Sequence, residues 1–128
     1  IRALQIHGKI SMPTCQIELA ISPLSSQETE LALSALRKTW QQPACIHRQP
    51  HSHAWLLAIR HEAKLKPGDT PCGFAERIAA AIWRAVGRYV RMTFDIIPTD
   101  DSAPQQFLFS ETDHQRIMRS FRLSLLER

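Results

Sequence analysis

The chain has 128 residues, 44% hydrophobic and 22% charged, which fits one domain with a real core and excludes a disordered body. No apolar run approaches the ~20 residues that a membrane-spanning helix needs, so no membrane partner is expected. It is a basic protein, with net charge +4 and pI near 9.4. The charge is uneven: residues 37–91 carry ten Lys and Arg against three Asp and Glu, whereas the two flanking stretches are slightly acidic. A basic middle suggests an anionic partner for one face.

The chain opens on Leu4, Ile6, Gly8 and Ile10 alternating with Gln5, His7 and Lys9, the period of a half-buried strand rather than of a signal peptide. Because the first residue is Ile1 and not Met, a trimmed chain or a module of a longer parent is expected. Cys15, Ile17, Leu19 and Ile21 repeat the same alternation, and Ser11-Met12-Pro13 between the two runs predicts an N-terminal hairpin.

Ser25 followed three residues later by Glu28 is a capping box. Leu31, Ala32, Ala35, Leu36 and Trp40 then recur at helical spacing, which predicts a helix from about Ser26 to Gln41, ahead of Pro43. Ala44–Arg48 and His53–Arg60 read as two strands around a turn at Pro50. Residues 54–59 are apolar at every position, the pattern of a strand covered on both faces. If this chain does not cover the second face, another subunit or a ligand must.

Lys64 to Asp69 reads as a loop. Thr70-Pro71 is an N-cap with Pro at the first helical position. Phe74, Ile78, Ala81, Ile82 and Ala85 make the stripe of a second helix, with Gly87 as its C-terminal cap. Val90, Met92, Phe94 and Ile96 alternate as a strand ending near Pro98. A polar loop leads to a short strand at Gln106–Phe109. Ser110 and Asp113 then cap a final helix with Ile117, Phe121 and Leu125 on one stripe.

These elements define a single α+β domain over residues 1–128. In element order it resembles the ferredoxin-like β-α-β-β-α-β sandwich, with an extra N-terminal hairpin strand and a C-terminal helix. Right-handed crossovers would place both central helices on one face of an antiparallel sheet. That fold hosts many unrelated functions, so function has to be argued from a site.

Four groups of residues have chemistry to offer. Cys45, His47, His51 and His53 alternate on two predicted strands. With the turn at Arg48-Gln49-Pro50 all four share one face, a donor set suited to Zn²⁺ or Cu; Zn²⁺ is the one cofactor candidate. The ordinary alternative is a polar hairpin tip. Lys64 and Lys66 precede a helix N-terminus that could hold an anion, although no P-loop is present. Arg77, Arg84 and Arg88 fall on one predicted helical face, and Arg91 follows on the strand. Such a set can hold the phosphates of a nucleic acid or another anionic ligand. Asp95, Asp100, Asp101, Glu111 and Asp113 form an acidic group beside His114, but Asp95 lacks the second strand carboxylate that a palm-like metal enzyme requires.

Cys72, at a helix start, has no His that the sequence places beside it. Three cysteines with no CxxC spacing argue against a disulfide framework and for a reducing, cytoplasmic compartment. The tryptophans Trp40, Trp55 and Trp83 are spaced like core residues. With no catalytic constellation evident, the leading expectation is a non-enzymatic interaction module. It would self-associate through its sheet, as a homodimer, or bind another protein partner. Nucleic-acid or polyanion binding and metal binding are the competing expectations.

Overall fold

The computed structural model describes residues 14–39, 45–65, 68–100 and 102–126. Five strands and three helices follow in chain order: β1 (Thr14–Leu24), α1 (Ser26–Thr39), β2 (Cys45–His51), β3 (Ala54–Lys64), α2 (Pro71–Val86), β4 (Arg91–Pro98), β5 (Gln105–Phe109) and α3 (Glu111–Leu126). The predicted first strand of the N-terminal hairpin lies outside the described residues, as do Trp40, Lys66 and Asp101.

The architecture is α+β, with one antiparallel sheet in the order β2-β3-β1-β4-β5. Side-chain alternation splits the sheet into two faces. Ile17, Leu19 and Ile21 of β1, Leu57 and Ile59 of β3, and Met92, Phe94 and Ile96 of β4 are all buried. They meet Ala32, Leu33 and Leu36 of α1 and Phe74, Ile78, Ile82 and Trp83 of α2 in one core. All described helices lie on this face.

The caps form as their sequence signals predict. Ser25 N–H donates to Glu28 Oε1 (2.9 Å) and Glu28 N–H donates to Ser25 Oγ (3.0 Å). Thr70 Oγ1 accepts from Gly73 N–H, and Gly87, at φ 87°, returns its N–H to the Trp83 carbonyl. Because α2 ends there, Arg88 leaves the helical face on which its spacing put it.

α3 is fastened at several points. Ser110 N–H donates to Asp113 Oδ2 (2.9 Å), Arg116 pairs with Glu76 (3.0 Å), and the His114 ring stands edge-on to Trp83 at 4.8 Å. Buried Ile117 and part-buried Met118 and Phe121 add it to the core.

The hairpin differs from the sequence expectation. Pro50 is not in the turn; it pairs with Trp55 inside β2, and the turn is Ser52-His53 between His51 and Ala54. Among the described strands β2 lies at the edge, where the missing N–H of proline takes no ladder bond away. Ser52, at φ 57°, takes the left-handed conformation that suits a two-residue hairpin. β3 continues to Lys64, four residues beyond the predicted end.

Candidate functional site: the open face of the sheet

The second face of the sheet carries none of the described helices. Register fixes its composition. Cys45, Arg60, Glu18, Asp95 and Gln106 lie side by side across β2, β3, β1, β4 and β5. Two residues along each strand, His47, Ala58, Ala20, Thr93 and Leu108 form the next row. Beyond it come Gln49 and Leu56 on one side and the Ser22–Arg91 pair on the other.

Three side chains in the middle of the second row are small. They form the floor of a cleft of about 260 Å³ with Glu18, Cys45, His47, Arg60 and Asp95 around it. The charged row is tied internally. Arg60 Nε lies 3.6 Å from Glu18 Oε2, and Gln106 Nε2 donates to Asp95 Oδ1 at 2.8 Å. Leu108, at the end of the small row, is 66% exposed, the largest value among the exposed large hydrophobics described.

The apolar strand at 54–59 is only half covered. Leu57 and Ile59 are buried, whereas Ala54, Trp55, Leu56 and Ala58 are half-buried. Trp83 is core, with its Nε1–H donated to the Val90 carbonyl at 2.9 Å; Trp55 is not.

The register also separates the Cys/His set. Cys45 pairs with Arg60 and His47 with Ala58, where the predicted register put His53 and His51 opposite them. Cys45 and His47 share the open face, while His53 sits in the turn. Among the described residues no group of three or more His, Cys, Asp or Glu is placed to hold a metal ion.

Two of the four candidate arginines are committed within the fold. Arg77 pairs with Asp69 at 2.9 Å. Arg88 grips Glu28 with two nitrogens (2.7 and 2.8 Å) and donates to the carbonyls of Pro23 and Tyr89. The Arg88 guanidinium holds the Glu28 carboxyl at about 2, well below its ordinary value. Arg84 and Arg91 are exposed and make no ion pair among the described residues. Arg84 flanks a groove between α1 and α2, and Arg91 lies on the open face.

The N-terminus of α2 is occupied by its own side chains, Thr70 on Gly73 and Asp69 on Arg77. Cys72 is no activated nucleophile: partial burial and then the Glu76 carboxylate, which accepts its S–H at 3.6 Å, push the thiol up. Of the acidic group, Asp100 accepts from Ser102 N–H and Asp113 caps α3. Asp95 does have a strand carboxylate beside it after all, Glu18, directly opposite on β1. Sequence reading missed this pair because β1 and β4 are distant in the chain. The signal was present, since both residues sit at the polar parity of their strands.

Comparison with known proteins returns no matching family model, no matching curated protein and no matching solved structure. No helix among the described residues is long and apolar enough to cross a membrane.

Proposed function

We propose that this chain is an interaction module that self-associates through the open face of its sheet. One observation carries the reading. A row of small and apolar side chains, Ala58, Ala20, Thr93 and the largely exposed Leu108, crosses a sheet face that no described helix covers. Extent supports it too. The five strands have 11, 7, 11, 8 and 5 residues at about 3.3 Å each and lie about 4.8 Å apart, so two such faces in full overlap bury roughly 1,300 Å², the lower end of a standard interface.

The finer fold reading, a ferredoxin-like sandwich extended by β5 and α3, draws support from the inner strand order β2-β3-β1-β4, with α1 and α2 as the two crossovers. Polyanion binding draws less support, since Arg77 and Arg88 are already paired with carboxylates. Metal binding through Cys45, His47, His51 and His53 draws less as well, because the turn at Ser52-His53 spreads the set along the hairpin.

Multi-angle light scattering of the full chain tests the proposal. The expected mass is twice the 14.6 kDa of one chain. Ala20→Arg, which places a long charged side chain at the centre of the small row, is expected to give a folded monomer. A wild-type chain that stays monomeric at its highest soluble concentration overturns the reading.

A further inference from the structure

The open face also specifies how a second copy would sit on it. Two sheets stacked face to face by a two-fold axis have two simple choices, with the axis running along the central strand β1 or across the strands. With the axis along β1, each residue of β1 meets itself, so Glu18 of one copy faces Glu18 of the other. Like charges placed directly opposite are destabilising. β3 of each copy then lies over β4 of the other, so Arg60 faces Asp95, but the Glu18 pair stays on the axis and the exposed Leu108 meets His47 instead of an apolar side chain.

The axis across the strands avoids this. Laid over the row His47, Ala58, Ala20, Thr93 and Leu108, it brings that row onto itself. The three small residues in the middle let the backbones approach, and the exposed Leu108 side chains meet each other at one end. Residues two positions to either side of the row exchange places. Arg91 and Asp95 flank Thr93 on β4, so Asp95 of each copy comes to face Arg91 of the other. Glu18 faces Ser22, and Arg60 faces Leu56, whose side chain can take the guanidinium stem. No like-charged pair is created.

On the reading that the module self-associates through this face, we infer that its partner is a second copy related by a two-fold axis across the strands over Ala20. Two reciprocal Asp95–Arg91 ion pairs and a Leu108–Leu108 contact at the β5 end of the row would join the copies. The same arrangement assigns a role to Arg91, the one arginine of this face that is exposed and makes no ion pair within the described chain.

A charge-swap cycle on the full chain tests the arrangement. Asp95→Arg and Arg91→Asp each turn two attractive pairs into two repulsive ones, and each is expected to weaken the dimer by about tenfold. The double variant is expected to restore it. Circular dichroism of each variant checks that the fold survives. A second readout uses Leu108→Cys in a Cys45→Ser/Cys72→Ser background, where oxidation is expected to produce a covalent dimer. A wild-type monomer overturns the self-association reading and this inference together. A wild-type dimer in which the double swap stays weak and Leu108→Cys fails to cross-link overturns the arrangement alone.

Discussion

The two faces of this sheet are made by the same strands, yet they differ in kind. On one, Ile17, Leu19, Ile21, Phe94 and Ile96 are all but inaccessible to solvent. On the other, one residue away at every step, Gln16, Glu18, Ala20, Thr93 and Asp95 are half-exposed. The first face is covered over its central strands by two crossover helices and the docked α3, and its β2 edge, where Ile46 is 36% exposed, is left open. The second has small side chains and an exposed leucine on its centre row, with Arg60 beside Glu18 and Gln106 on Asp95 in the next row and Arg91 making no ion pair among the described residues. Stability therefore belongs to one face, and the proposed self-association is assigned to the other.

That division can be broken by substitution. The largest effect is expected in the core. Phe94→Ala removes a fully buried ring and should cost about 3–5 kcal/mol in denaturant unfolding, while Thr93→Ala, its neighbour on the open face, should cost less than about 1 kcal/mol. Equal costs for the two would erase the distinction between the faces.

The Arg88 clamp comes next. Arg88→Ala takes the guanidinium donors from Glu28 and the Pro23 carbonyl and leaves the Ser25 N–H on Glu28. An effect of about 1 kcal/mol is expected, small for a bidentate pair because the Arg88 side chain is 45% exposed. Its pH dependence is more specific. Glu28 is held below its ordinary 4.5, at about 2, so the stabilisation is present above pH 4.5 and disappears as pH falls through 2. Arg88→Ala should flatten that part of the acid-unfolding profile, and an unchanged profile would show that the pair contributes nothing.

A smaller loss, about 1 kcal/mol or less, is expected for Ser110→Ala, which removes the hydroxyl half of the α3 cap and keeps the backbone N–H donated to Asp113. Hydrogen exchange should then rise in α3 before it rises in β1. The smallest effect belongs to Arg60→Gln, an exposed side chain 3.6 Å from Glu18, whose loss should leave monomer stability within about 0.5 kcal/mol.

Local signals in the sequence carried most of the fold. The capping boxes at Ser25 and Ser110, Thr70-Pro71, Gly87 and the period-two runs of β1 and β4 each have a cause within a few residues, and each forms where its pattern puts it. The hairpin was misplaced for a physical reason. Pro50 marks a turn only if the strand has neighbours on both sides, and nothing local says that β2 is an edge. The candidate site was least legible. Cys45, His47, His51 and His53 were joined through a register the turn does not adopt. Glu18, Ala20, Ala58, Thr93 and Asp95 come together only through pairings between β1, β3 and β4, which no short window of sequence contains. The apolar run at 54–59 is a partial signal: it predicts a strand covered on both faces, and Leu56 and Ala58 on the open face are half-buried, with none of the described helices over them.

Sedimentation equilibrium of wild type and Ala20→Arg, side by side over a wide concentration range, tests the central claim most directly. The account predicts a reversible dimer for the wild type and a folded monomer for the variant, with the same far-UV circular dichroism. Identical masses for the two proteins, whether both monomeric or both dimeric, would contradict it.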